Sequence, residues 1–125
     1  MDEFTVEIKE TSAELTKKER VKMKDTTNAV KLDEVTAEGA SICIAPKSYV
    51  VLSIHNPKSK DRPDYENIVI LDRDGSKYVT GSPSFIKNFF EIWAEMADEE
   101  DWEIEVYKRD SKNYKGKQFL TCSIM

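Results

Sequence analysis

Two stretches of this chain gather side chains that can grip a polyanion. The first holds Lys58, Lys60, Arg62 and Tyr65. The second holds Tyr107, Lys108, Arg109, Lys112, Tyr114, Lys115 and Lys117, with only Asp110 opposing. Lysine and arginine neutralise phosphates, and aromatic rings give bases a platform to stack on. Tyr78 and Phe119 are further rings that can join such a platform. Basic loops on a small domain often do no more than solvate it, so their meaning depends on the elements that carry them.

The strongest of those elements is the helix expected over residues 83–96. Ser82 is a suitable N-cap, and Pro83 falls at the first helical position, where a missing N–H costs nothing. Phe85, Phe89, Ile92 and Met96 recur at helical spacing and share one face, which Ile86, Phe90 and Trp93 widen. Glu91 and Glu95 fall on the polar side. Strand patterns surround this helix, at 49–54, 66–71 and 77–80 before it and at 102–107 and 118–124 after it. Asp72-Arg73-Asp74-Gly75 reads as a hairpin turn.

Three strands, a helix and two strands is the element order of an OB-fold. The expected class is therefore a β-rich α+β fold, with an OB-fold-like five-stranded barrel and one main helix between strands three and four. The 125 residues make one domain, with 46–125 as the OB-like core and 1–45 as an N-terminal extension. Within the extension, Phe4, Val6 and Ile8 alternate as in a strand. Thr16 and Glu19 form a capping box for a helix over 17–24, which carries Lys17, Lys18, Arg20, Lys22 and Lys24. Residues 29–32 read as a short strand or a helical turn, Gly39 marks a turn, and 42–44 is a short apolar run. Oligonucleotides cross an OB-fold on the face of strands two and three, between the loops joining strands one and two and strands four and five. Both basic stretches fall on those loops.

The bulk composition narrows the classes. A net charge of −5 argues against adhesion to nucleic acid over the whole surface, so any polyanion must meet a local patch. Two cysteines without metal-ligand spacing and a single histidine, His55, supply no zinc site. Cys43 and Cys122 fit free thiols in a reducing compartment. The start of the chain has no apolar signal region, and no apolar run reaches membrane-spanning length. Cys122-Ser123-Ile124-Met125 matches a prenylation pattern in form, but a closing strand explains the same residues. Gly81-Ser82-Pro83-Ser84 reads as ordinary helix capping. No P-loop, dinucleotide fingerprint or nucleophile elbow occurs, so no enzyme activity and no cofactor or metal are expected. Glu91, Glu95, Asp98, Glu99, Glu100 and Asp101 make an acidic surface that offers an alternative site, for a protein partner.

The order Lys77-Tyr78-Val79-Thr80-Gly81-Ser82, aromatic helix, Ser111-Lys112-Asn113-Tyr114-Lys115-Gly116-Lys117 resembles small early-region proteins of phages that infect Gram-positive bacteria, of the single-stranded-DNA-binding-like type. The resemblance spans roughly residues 15–125. It implies a replication or recombination accessory protein in the cytoplasm of a bacterial host. The acidic C-terminal tail of many single-strand binders is absent here, so recruitment of host enzymes by such a tail is not expected.

The expectation is thus a non-catalytic, sequence-tolerant protein that binds single-stranded DNA or RNA. Lys58, Lys60, Arg62, Lys108, Arg109, Lys112, Lys115 and Lys117 would hold phosphates, and Tyr65, Tyr78, Tyr107 and Tyr114 would stack bases. Host or phage replication proteins are further expected partners, a homo-oligomer is compatible with this reading, and no membrane is involved. The alternative is a phage protein-interaction module that inhibits a host enzyme or defence system through the acidic surface.

Overall fold

The computed structural model describes residues 5–58, 64–110 and 116–125. Its chain order is β1 (Thr5–Thr11), α1 (Lys17–Lys24), β2 (Val30–Lys31), α2 (Leu32–Val35), β3 (Ile42–Ile44), β4 (Pro46–His55), β5 (Asp64–Asp72), β6 (Lys77–Thr80), α3 (Pro83–Met96), β7 (Ile104–Asp110) and β8 (Gln118–Ile124). The fold is β-rich α+β. Residues 29–32 turn out to be both of the expected forms, a strand that runs straight into a helical turn.

The strands form two sheets. One has five strands in the order β1-β4-β5-β6-β2, and the other has three in the order β3-β7-β8. The strands of the expected OB-fold-like barrel are divided between these two sheets, and the edges that would join them are occupied. β1 takes the free edge of β4, β2 takes that of β6, and β3 takes that of β7. The remaining edge of the small sheet is β8, which α3 covers. Ser84 Oγ donates to the Leu120 carbonyl at 2.8 Å, and Asn88 Nδ2 donates to Thr121 Oγ1. Covering an edge strand removes a template for unwanted pairing. The three edge strands that divert the barrel all come from the first 45 residues, so that segment is built into both sheets.

Strand β3 leads into β4 through a single residue, Ala45, where the chain passes from the small sheet to the large one. That corner is fastened by the β5–β6 turn. Asp72 Oδ2 accepts the Ala45 N–H at 2.9 Å, and the Arg73 N–H donates to the Ala45 carbonyl at 3.0 Å. Asp72 Oδ1 also accepts the Asp74 N–H, which shapes the turn, and Gly75 supplies the φ of +95° that the turn needs.

The large sheet is buried on both faces, as its long apolar runs require. One face, with Tyr49, Val51, Ile68, Ile70 and Tyr78, packs on α3 and on the inner face of the small sheet. Phe85 and Phe89 are fully buried there, each stabilising the fold by roughly 2 kcal/mol through burial alone. The Tyr49 ring meets Phe89, Phe90 and Trp93 edge-on, with centroids 5.2–5.6 Å apart. Helix α3 therefore lies across a sheet face. The opposite face, with Val50, Leu52, Ile54, Val69 and Val79, is covered by α1 through Met23. Helix α1 has the expected capping box, with Thr16 Oγ1 accepting the Glu19 N–H at 3.1 Å and Glu19 Oε1 accepting the Thr16 N–H at 3.0 Å.

Candidate nucleic-acid interface

The small sheet has one buried face and one partly open face. Ile44, Ile104, Val106, Leu120 and Cys122 point into the core. Side chains alternate along a strand, so Cys43, Glu105, Tyr107, Arg109, Phe119, Thr121 and Ser123 share the other face, on which Thr121 is itself buried and bonded to Asn88 of α3. Register places Tyr107 opposite Thr121 and Arg109 opposite Phe119. Tyr107 and Phe119 are thus diagonal neighbours, about 7 Å apart by strand geometry. Both rings are half-buried, and neither belongs to a core cluster. Arg109 is exposed. The Tyr107 hydroxyl bonds to Ser123 Oγ at 2.6 Å, which orients the ring on the sheet. Two rings and a guanidinium on a flat, open face are the parts needed to stack bases and hold a phosphate. Glu105, half-buried on the same face, bounds this patch toward Cys43.

The other expected site residues are dispersed. Lys117 is exposed at the root of the β7–β8 loop, beside Gly116. Lys112, Tyr114 and Lys115 in that loop, and Lys60 and Arg62 in the β4–β5 loop, lie outside the described residues. Lys58 is exposed, and its N–H donates to Asn56 Oδ1 at 3.1 Å. Tyr65 is half-buried against the outer core of the large sheet. Lys108 lies on the inner side of β7, and its Nζ donates to the Asp33 carbonyl at 2.9 Å. That bond ties it to the chain beside Thr80, whose Oγ1 donates to Asp33 Oδ2. Tyr78 is only 8% exposed and belongs to the core, where burial and the nearby Asp72 and Asp74 charges push its phenol above the usual range. Its ring lies in the core and offers no stacking surface. Both faces of β6 are buried, so the alternation of 77–80 carried no signal for which ring would be open.

The start of β5 and strand β8 flank the first turns of α3. Ser84 is bonded to β8, while Pro83, Ile86 and Lys87 line a cleft of about 520 Å³ with Ser53, Asp64, Tyr65, Glu66 and Gly81. The helix approaches β5 closely here, and a Cβ on Gly81 would come within 2.6 Å of Asn67 Oδ1. Each carboxylate in the cleft has its own partner. His55 Nδ1 lies 2.6 Å from Asp64, and Lys9 Nζ lies 2.6 Å from Glu66, which raises the lysine above its usual range. Lys87, exposed on the cleft wall, was not singled out from sequence, because it sat on the polar side of a helix read only for its apolar stripe. Phe119 was noted as a ring but not as a site residue. The signal was its pairing parity with Arg109.

The acidic residues Glu91, Glu95, Asp98, Glu99, Glu100 and Asp101 are all exposed, and Arg73 lies 3.4 Å from Asp101. Cys43 is exposed, and Cys122 is buried, with its thiol pushed up to about 12 by that burial. Among the described residues, no group of three or more His, Cys, Asp or Glu side chains could hold a metal ion. No helix among them is long and apolar enough to cross a membrane. No protein-family model, curated protein or solved structure matches this chain.

Proposed function

We propose that this protein binds single-stranded nucleic acid on the open face of β3-β7-β8, without catalysis and with tolerance for sequence. The observation that carries this reading is the grouping of Tyr107, Arg109 and Phe119 on that face, with Lys117 at its rim. Stacking on Tyr107 and Phe119 favours unpaired bases of any identity, while Arg109 and Lys117 meet the backbone. The basic side chains of the adjoining loop, Lys112 and Lys115, and its ring, Tyr114, extend the same role. Lys87 gives a strand that leaves this face a cation beside the first turn of α3. The OB-like element order supports the reading only by analogy, since the strands pair as two open sheets. A replication or recombination role of phage type goes with it, as the sequence resemblance implies.

Titration with oligo-dT at two salt concentrations tests this. Affinity falls steeply with salt if phosphates are neutralised, with a slope of about −0.7 per phosphate contact for a single strand. Absence of binding at low salt overturns the reading. A second reading, docking of a protein through the acidic surface, is favoured by the exposure of all six carboxylates at one end of α3. It requires that Glu99→Lys with Glu100→Lys abolish capture of a discrete partner and leave oligo-dT binding intact.

A further inference from the structure

Helix α1 sits on the far side of the large sheet from the proposed interface. Met23 is its one buried side chain, and its other side chains are exposed. Its surface carries Lys17, Lys18, Arg20, Lys22 and Lys24, all exposed, around Val21, which is 68% exposed. None of the five cations forms an ion pair among the described residues. The helix's one carboxylate, Glu19, is engaged in the capping box. The C-terminal carbonyls of α1 are served from elsewhere, since Lys77 Nζ donates to the Lys22 and Asp25 carbonyls at 2.8 and 2.6 Å. Lys17 and Lys18 occupy the first turn, where the helix dipole disfavours positive charge. Local helix stability therefore does not account for Lys17 and Lys18, whereas Lys22 and Lys24, in the last turn, complement the dipole.

We infer that α1 is a second nucleic-acid surface, which holds the phosphate backbone by charge alone and lets one copy of the protein bridge two strands. The inference rests on the reading of the small sheet as the first surface. Charge complementarity names the occupant. Lys17, Arg20 and Lys24 recur along one flank over about 10 Å of helix, a spacing that serves successive phosphates. The helix has no aromatic residue, so it contributes no stacking and makes no distinction between bases. A membrane surface is a poorer fit, because a helix that lies in lipid needs a broad apolar face and α1 exposes only Val21. Sheets pack about 10 Å apart, and α1 adds another layer beyond the large sheet. A short oligonucleotide on one surface therefore leaves the other free.

The test is the stoichiometry of complexes with octa-dT at low salt, read by native mass spectrometry. It is paired with fluorescence transfer between separately labelled donor and acceptor strands. The wild-type chain is expected to carry two oligonucleotides and to bring donor and acceptor together. Lys17→Glu, Lys18→Glu and Arg20→Glu together should reduce the complex to one oligonucleotide and cut the transfer signal at least tenfold, with affinity at the remaining surface changed less than twofold. The neutral set Lys17→Gln, Lys18→Gln and Arg20→Gln should act in the same direction without reversing charge. One oligonucleotide per wild-type chain, unaffected by either set, overturns the inference and leaves the first surface standing. No bound oligonucleotide at all overturns both.

Discussion

The Asp72 carboxylate accepts the Ala45 N–H at 2.9 Å, at the single residue where the chain leaves the small sheet for the large one. The same carboxylate accepts the Asp74 N–H. A buried side chain thus fixes both the β5–β6 turn and the angle between the two sheets. Asp72→Ala strands two donors, and hydrogen bonds to a charged group are worth about 1.5–3 kcal/mol each. Chemical denaturation should show a loss of about 3 kcal/mol, with Asp72→Asn losing less because its carbonyl oxygen keeps one of the two bonds. A variant as stable as the wild type would mean that the corner holds without this contact.

Phe89 is fully buried between Phe85 and the Tyr49 ring. Phe89→Ala removes the centre of the larger core and should cost about 3–5 kcal/mol in urea unfolding. Phe90→Ala, at a half-buried position, should cost clearly less. Equal losses would place α3 in a different rotation on the sheet.

What could be read from sequence was local. Helix α3 with its Ser82 cap, helix α1 with its capping box, and the Gly75 turn each depend on residues within a few positions of one another. Pairing partners were not legible. The segment 42–44 reads as a strand by its apolar content, but nothing in it states that it pairs with 104–106 instead of its neighbours. That long-range choice helps to separate two sheets from a single OB-like barrel. The site moved for the same reason. Tyr107 and Arg109 were found by residue type, whereas their alignment with Phe119 and the inward burial of Tyr78 follow from register and from which faces are covered.

The two thiols should differ sharply in reactivity. Cys122 is buried in the core and its thiol is held up to about 12, so it stays protonated and shielded near neutral pH. Cys43 is exposed on the open face of the small sheet. A disulfide reagent at pH 8 should label one thiol per native chain, which peptide mapping assigns to Cys43, and two after denaturation. Labelling of both in the native chain would contradict the burial of β8.

Helix α1 should loosen in acid. Glu19 is held below the usual glutamate range, chiefly because its carboxylate accepts the Thr16 N–H and then through its link with the Thr16 side chain. A carboxyl whose folded value is depressed stabilises the fold above its unfolded value, and that contribution is lost as pH falls through the folded one. From about pH 4 downward, the protection of the Thr16 and Glu19 amides, taken relative to their intrinsic exchange rates, should fall in wild type. Glu19→Gln should show fast exchange at Thr16 already at pH 7 if the charge is what matters. Protection that is flat with pH in the wild-type chain would show that the box contributes nothing in solution.

The most direct test of the nucleic-acid reading is chemical-shift mapping with oligo-dT on the isotopically labelled chain at low salt. The strongest early perturbations are expected at Tyr107, Arg109, Lys117 and Phe119, and Tyr107→Ala with Phe119→Ala should weaken binding at that face by about tenfold or more, since each stacked base is worth roughly 1–3 kcal/mol. Perturbations confined to residues 91–101, or binding unchanged by loss of both rings, would contradict the assignment of the small sheet's open face as the interface.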